Sequence, residues 1–463
     1  MAAQERISPA QIETAPRATS PAVSPTVFVR QSLSVFLAQV LLLGFGILNN
    51  FLVADLGGPD GKGSIYLMQL ISGIGLIFLN LGLGPASVFY QGENRRYSPP
   101  HMATGILSPS LLVGFLPMIV LAPAWHWVAP LLPRKLSAPH LWLALAAIPA
   151  LTLTWNASHV LLGRGDLRWF NLLRVLPGAL FFVGLLGLLV EQSASVGWMV
   201  MLWLASVLSA GVVSARRMRR LGAGWAFRWQ GYLRDAVRFG WRSHLGAVAQ
   251  YLQHRVDVVL VGFFLPVGEL GIYSLAVSLA EALWHVPHAV ATVLLAHVSR
   301  SSERSARATP FVCRTTLAIT AVLAVSLAAL AAWVIPHVLP AFDRSVRVLH
   351  WLLPGGVAAS VFKVLASDFI GRGRPLRTFF PALTTLGLCA VAGWWVIPHF
   401  GILGAAAVAT AGYLLNSALS LASYVRISPM PLRDLIVPRG SDLNVMADVW
   451  RAPWSGTSLG AKP

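Results

Sequence analysis

Residues 163–168 read GRGDLR, and residues 371–377 read GRGRPLR, about 208 residues further along the chain. A second pair of segments repeats at nearly the same offset, because residues 61–66 and 268–273 both begin with glycine and end with tyrosine. Each member of this second pair closely follows an apolar stretch. Two separate landmarks that share one offset indicate that the chain consists of two homologous halves.

The composition places both halves in a lipid bilayer. Of the 463 residues, 56% are hydrophobic and only 11% are charged, and the mean hydropathy is +0.68. Such a chain cannot hide its apolar surface in a water-soluble core. Apolar runs long enough to cross a bilayer as helices lie near 28–54, 64–90, 103–131, 141–162, 168–190, 196–215, 237–264, 270–298, 310–340, 346–370, 376–398 and 401–425. The sequence therefore predicts an all-α, polytopic membrane protein of about twelve transmembrane helices in two six-helix lobes.

The polar segments between these runs set the domain boundaries. We expect a disordered cytoplasmic tail over 1–27, an N-terminal lobe over 28–215, an inter-lobe linker over 216–236, a C-terminal lobe over 237–425 and a second tail over 426–463. Prolines within the spans predict kinks, and they are Pro117, Pro149, Pro177, Pro287, Pro354 and Pro381. Paired halves in a membrane chain usually enclose a transport path at their interface.

Basic residues are distributed unequally between the two sides of the predicted topology. With a cytoplasmic amino terminus, the inward connections carry about 17 arginines, whereas the outward loops hold Lys62, Arg134, Lys135, Arg344 and Arg347. This positive-inside bias predicts that both termini face the cytoplasm. The net charge of +18 is thus mainly a topology signal, and nucleic-acid binding is a poor explanation for it.

Six basic residues fall within or at the edge of predicted spans, and topology does not account for them. They are Arg30, Arg174, Arg238, Arg242, Arg255 and Lys363. Burial of a cation in hydrocarbon costs at least about 3 kcal/mol, so these groups should face the bundle interior, a wet cavity or an anionic partner.

The seventh predicted span is polar on two sides. On one continuous helix, His244, Tyr251 and Arg255 share a face, and the opposite face carries Arg242 and Asp257. We expect this span to border the central cleft, with His244, Arg242 and Arg255 available to a substrate. Asp257 either forms a structural ion pair with a basic residue of a neighbouring helix or takes part in coupling.

The eighth predicted span carries an acid and two imidazoles. Glu281, His285 and His288 are spaced so that all three project from one helix face. They are candidates for proton coupling, because desolvation and imidazole chemistry bring titration near neutral pH. A satisfied hydrogen-bond cluster between helices is the alternative. A metal site is disfavoured because the HExxH order is missing, and Asp368 is expected to pair with a nearby arginine.

Two stretches of sequence resemble a known family. Residues 239–274, continuing to Ala291, are similar to the opening of the second half of bacterial polysaccharide flippases, the O-antigen type of the multidrug/oligosaccharidyl-lipid/polysaccharide exporter superfamily. Residues 57–63 and 79–84 resemble the first loop and second helix of that family. The resemblance covers about residues 28–425, and its motifs are short and rich in glycine.

The resemblance implies a V-shaped pair of lobes that open alternately to each side of the bacterial inner membrane. Such flippases carry an undecaprenyl-pyrophosphate-linked oligosaccharide, and a cationic cavity receives the pyrophosphate. That cavity would contain Arg30, Arg242, Arg255 and Lys363, to which Arg174 and His244 are added as candidates. Membrane lipids and other polysaccharide-assembly proteins are the further expected partners, and no cofactor or resident metal is implied.

Other functions remain open. A cation-coupled multidrug exporter of the same fold would favour acids over arginines in its cleft. A lipid II flippase of the same superfamily usually has two more helices. A polytopic glycan polymerase or glycosyltransferase needs a large or acidic outer loop, and the outward connections here are short. We find no nucleophile and base pair in the sequence, so we expect a transporter and not an enzyme.

Overall fold

The computed structural model describes residues 25–91, 97–128, 138–191, 195–224, 229–298, 302–372, 374, 376–428, 430–440 and 442. Within these ranges the chain is helical throughout and contains no β-strand, which confirms the predicted all-α class. The first half contains α1 (Pro25–Leu79), α2 (Leu83–Gln91), α3 (Pro99–Val128), α4 (Ala138–Gly163), α5 (Leu167–Glu191) and α6 (Val196–Arg220).

The second half starts with a short π-helical turn, Trp229–Leu233, and ends with a one-turn helix. Its helices are α7 (Arg234–Gln253), α8 (Val256–Phe264), α9 (Val267–Ala282), α10 (His285–Val298), α11 (Ser302–Val338), α12 (Asp343–Gly371), α13 (Leu376–Val425) and α14 (Arg433–Ile436). The terminal α14 folds back onto the lobe, where Leu435 is fully buried and Arg314 Nε donates to Asp442 Oδ2 at 2.8 Å.

Nine helical segments of the described residues are long and apolar enough to cross a membrane. Two of them, α1 and α13, each contain two of the predicted spans. The spans are joined at Gly58 and at Gly401, which both adopt a φ of +60°. That backbone conformation is accessible to glycine without the steric cost that a Cβ would add. The chain therefore reverses direction at these two glycines while its helices continue on either side.

The seventh and eighth predicted spans are not single helices. The prediction of one continuous helix over 237–264 is wrong, because α7 ends at Gln253 and α8 begins at Val256. The eighth span is interrupted between α9 and α10, at Leu283 and Trp284. Pro287 explains this second interruption, since its ring would clash with the carbonyl of residue 283 in a regular helix. The predicted kink at Pro287 is thus confirmed.

The two lobes meet along the second half of α1, and glycines allow the closest contacts. A Cβ on Gly271 would lie 1.9 Å from the carbonyl oxygen of Pro59, and one on Gly63 would lie 2.0 Å from that of Val267. Near the opposite end of this seam, a Cβ on Gly240 would lie 2.5 Å from the carbonyl oxygen of Gly82. Backbone therefore packs directly against backbone near both ends of the lobe interface.

Candidate functional site

The two helix interruptions of the second lobe lie side by side. His254, between α7 and α8, and Trp284, between α9 and α10, have ring centroids 4.7 Å apart. Tyr413 of α13 packs edge-on against Trp284, with 5.6 Å between the ring centroids. Discontinuous membrane helices of this kind commonly form the binding sites of transporters, because their free backbone ends line a polar cavity. We therefore treat this junction as the centre of the candidate site.

Arg255 joins the two lobes at this junction. Its Nη1 donates to Glu281 Oε1 at 2.7 Å and its Nη2 donates to Glu281 Oε2 at 3.1 Å. The same Nη1 also donates to the hydroxyl of Tyr66, from the first lobe, at 3.0 Å. The sequence assigned Arg255 to substrate binding and Glu281 to coupling, whereas the structure places them in one bidentate ion pair. Their side chains are 21% and 24% exposed, so the pair is only partly buried.

Lys363 of α12 contributes a second positive charge a short distance away. Its Nζ lies 4.4 Å from the centroid of the Trp284 ring and 5.6 Å from that of Phe362. Among the described residues, no carboxylate lies within ion-pair distance of this ammonium group. Trp284 Nε1 and His254 Nε2 are buried and have no hydrogen-bond partner within the described part of the chain. This aromatic cluster thus presents a cation and two ring nitrogens without assigned partners.

Asp257 lies deeper in the second lobe than Arg255. It is 3% exposed, and Tyr273 of α9 donates its hydroxyl hydrogen to Asp257 Oδ2. The predicted basic partner is absent from the described residues, since the contact is with a neutral tyrosine. Asp257 Oδ1 is buried and has no hydrogen-bond partner in the same ranges. A coupling role for this carboxylate stays a prediction.

Arg174 of α5 places a positive charge of the first lobe near α10. It is half-buried, its Nη2 lies 3.5 Å from Gln39 Oε1, and its guanidinium lies 5.1 Å from the centroid of the Phe170 ring. Arg174 is also close enough to interact electrostatically with His285 and His288, whose side chains are exposed. One cation of the first lobe therefore lies near the two imidazoles of α10 in the second lobe.

The remaining predicted cations are less central. His244 Nε2 lies 3.3 Å from the carbonyl oxygen of Phe78, so it connects α7 to the first lobe. Arg238 is exposed. The side chains of Arg30 and Arg242 lie outside the described residues. Asp368 pairs with Arg372, as the sequence predicted, and accepts a hydrogen bond from Thr309 at 2.5 Å.

Several residues of this site could not be recognised from the sequence. Tyr66, His254 and Tyr413 have aromatic or imidazole side chains like many others in the chain, and only the packing of four separate helices brings them together. The glycine and tyrosine repeat at 61–66 and 268–273 was the one available signal for Tyr66. The described residues contain no group of three metal-ligating side chains that could hold an ion.

Solved structures with this fold are membrane transporters. The lipid II flippase MurJ, in an inward closed conformation, matches with a TM-score of 0.71 and 13% identity over 93% of this chain and 94% of that chain. An inward-facing multidrug resistance MATE family transporter of the MOP superfamily matches with a TM-score of 0.64 and 16% identity, over 84% of this chain and 94% of that one. These similarities show the fold, which is the two-lobe, multi-helix transporter fold of that superfamily.

A further structural match comes from Pyrococcus furiosus, a MOP superfamily transporter described as having a binding pocket of reverse polarity. Its TM-score is 0.52, with 15% identity over 86% of this chain and 95% of that chain. The family model for polysaccharide biosynthesis proteins matches residues 52–341, and the chain belongs to that family. No curated protein sequence matches it significantly. The protein is thus a multi-pass membrane protein of a polysaccharide biosynthesis family with the fold of MOP transporters.

Proposed function

We propose that this protein is a flippase that moves a polyprenyl-pyrophosphate-linked oligosaccharide across the bacterial inner membrane for surface polysaccharide export. Membership of a polysaccharide biosynthesis family supports the cargo class, and the two-lobe fold supports alternating access. The observation that carries the proposal is the position of Arg255 and Lys363 at two broken helices, where Arg255 also contacts Tyr66 of the other lobe.

Pyrophosphate suits these groups chemically. It is a compact anion with several acceptor oxygens, and a guanidinium group can bind it with two parallel hydrogen bonds. Lys363 has no carboxylate partner within the described residues, so its ammonium group can donate directly to a phosphate oxygen. Trp284 Nε1 and His254 Nε2 can add two further contacts from the helix interruptions. The aromatic faces of Trp284 and Tyr413 offer stacking surfaces for the first sugar.

The ion pair of Arg255 and Glu281 can couple substrate binding to the contact between the lobes. A pyrophosphate headgroup competes with Glu281 for the guanidinium of Arg255, because both ligands are bidentate anions. When the headgroup binds Arg255, the guanidinium turns away from Glu281 and from Tyr66. The hydrogen bond between Arg255 and Tyr66, which joins the lobes, is then lost. Substrate binding would in this way weaken the lobe interface. Glu281, which loses its guanidinium partner at that step, is the carboxylate to which we assign a role in coupling.

The remaining features of the proposal concern orientation and partners. The positive-inside bias of the sequence supports a cytoplasmic location for both termini. Undecaprenyl pyrophosphate is the expected carrier, and membrane lipids and other polysaccharide-assembly proteins are the expected neighbours. We assign no covalent chemistry to the chain, since the site consists of charged and aromatic binding groups without a nucleophile positioned by a base.

The proposal is tested by the accumulation of lipid-linked saccharide in cells whose own gene for this protein is deleted. Arg255→Ala and Lys363→Ala should each leave the saccharide on the cytoplasmic side and reduce surface polysaccharide at least tenfold, whereas Arg347→Ala serves as a control. Arg347 is an exposed cation at the far end of α12, away from the junction. Normal surface polysaccharide in both site variants, at wild-type protein levels, would remove the assignment of the site.

A cation-coupled drug exporter is the main competing function. In such a protein the cleft acid must be available to a cation, but both carboxylate oxygens of Glu281 accept hydrogen bonds from Arg255. Glu281→Gln separates the two functions in a drug-efflux assay combined with glycan staining. Loss of surface glycan with unchanged drug resistance supports the flippase, and loss of resistance with normal glycan supports the exporter.

A further inference from the structure

One polar cavity is lined entirely by residues of the first lobe. It has a volume of about 190 Å³ and is lined by residues of α1, α5 and α6. Its polar lining consists of Asn49, Asn50, Lys62, Gln69, Trp203 and Ser206. None of these residues belongs to the Arg255 and Lys363 site, so the cavity requires an explanation of its own.

Lys62 is the only basic residue among the lining groups of this cavity. Predicted from the sequence to lie in an outward loop, it is instead 3% exposed and points into the lobe. Its Nζ donates a hydrogen bond to Asn50 Oδ1, and it lies 5.8 Å from the centroid of the Tyr66 ring. No described carboxylate lies within 4.0 Å of this ammonium group, because none of the ion pairs in these ranges includes Lys62.

A buried lysine remains an ammonium ion only where a counter-charge or an equivalent set of acceptors stabilises it. Transfer of an unpaired cation from water to a protein interior is strongly unfavourable, and one neutral amide oxygen compensates only part of this cost. The cavity next to Lys62 has room for a small ion together with water. Asn49 Oδ1, on the same wall, is buried and has no hydrogen-bond donor among the described residues.

We propose that the first-lobe cavity binds one small monovalent inorganic anion, of the size of chloride, as the counter-ion of Lys62. The lining contains one lysine and no second basic group. A monovalent anion is therefore favoured over a divalent ion such as sulfate, because it matches the single positive charge. Lys62 also lies one helical turn before Tyr66, whose hydroxyl accepts from Arg255. The anion therefore lies close to the contact that joins the lobes, without being part of the substrate site.

Anion exchange at constant ionic strength tests this site in the purified full-length protein. Replacement of gluconate by chloride should raise the Tm in detergent by several degrees with saturation, since a ligand that binds only the folded state stabilises it. Lys62→Met should abolish the chloride effect. Arg168→Met, which removes an exposed cation of the same lobe, should retain it and controls for general charge screening.

Asn50→Asp provides a second test, which stays informative even if the Lys62→Met protein does not fold. It places a carboxylate beside the ammonium as a built-in counter-ion, so the Tm should no longer depend on chloride and should exceed that of the wild type in gluconate. Iodide quenching of tryptophan fluorescence gives an independent measurement, because Trp203 lines the cavity. Its saturable component should disappear in both Trp203→Phe and Lys62→Met.

Two results would overturn the assignment. One is a wild-type Tm that is the same in chloride and in gluconate. The other is a chloride effect that persists at full size in Asn50→Asp and Lys62→Met. Neither result bears on the transport proposal, which is measured by lipid-linked saccharide accumulation and depends on different residues.

Discussion

The helix pairs that open the two halves, residues 34–79 and 234–298, share a glycine and tyrosine repeat but differ in the continuity of their helices. The first pair is helical throughout apart from the reversal at Gly58, whereas the second is interrupted at 254–255 and again at 283–284. The first pair holds one buried cation, Lys62, and the second contains the ion pair of Arg255 and Glu281. The two halves thus share a helical framework, and only the second pair contains interruptions of the kind on which a binding site can form.

The equivalent tyrosines of the two pairs show the same divergence. Tyr273 donates to the buried Asp257 inside its own lobe, whereas Tyr66 accepts from Arg255 across the lobe interface. One tyrosine therefore stabilises a lobe, and its counterpart connects two lobes. Substitutions at this seam can test whether the two copies have separate roles.

The largest effect is expected from Gly271→Ala, at the point where the two helix pairs touch. The added Cβ would lie 1.9 Å from the carbonyl oxygen of Pro59 and 2.9 Å from the amide nitrogen of Gly63, which are both backbone atoms and cannot rotate away. We expect the lobes to separate at this end and surface polysaccharide to fall by more than tenfold. Gly387→Ala, where no atom lies within 4 Å of the new Cβ, is the matched control. Equal transport by the two variants would contradict the close backbone contact between the lobes at Gly271.

Tyr273→Phe should have the next largest effect, and it should act on stability. The substitution leaves Asp257 buried without its hydrogen-bond donor, which costs about 1–3 kcal/mol. The expected result is a lower free energy of unfolding in detergent, with transport normal per folded molecule. Purified protein with an unchanged thermal midpoint would show that Asp257 has another partner.

The smallest change in stability is expected for Tyr66→Phe. Arg255 keeps both hydrogen bonds to Glu281, so the loss should be about 0.5–1.5 kcal/mol, as for one ordinary hydrogen bond. Transport should nevertheless change more than in Tyr273→Phe, because the lost contact joins the lobes. A transport assay of both tyrosine variants, normalised to protein level, tests whether Tyr66→Phe has the larger transport defect. A larger transport defect in Tyr273→Phe would reverse the roles assigned to the two copies.

The sequence alone determined the architecture of this protein. The repeated GRG segments and twelve apolar runs predicted two helical lobes, because lipid solvation leaves few alternatives to helices that satisfy their own backbone. The sequence also predicted a kink at Pro287 and the pairing of Asp368 with a nearby arginine, which is Arg372, one helical turn away. These features depend on contacts between residues that are close in sequence.

Only the tertiary structure decided which charges are paired. Lys62 looked like a loop residue and is buried, and Arg255 and Glu281 looked like separate functional groups and share an ion pair. His254 and Trp284 meet because two broken helices lie side by side. Helical periodicity can indicate which side chains share a face, but the direction in which that face points is set by packing against helices far away in the sequence. The framework was therefore encoded locally, and the site arose from long-range contacts.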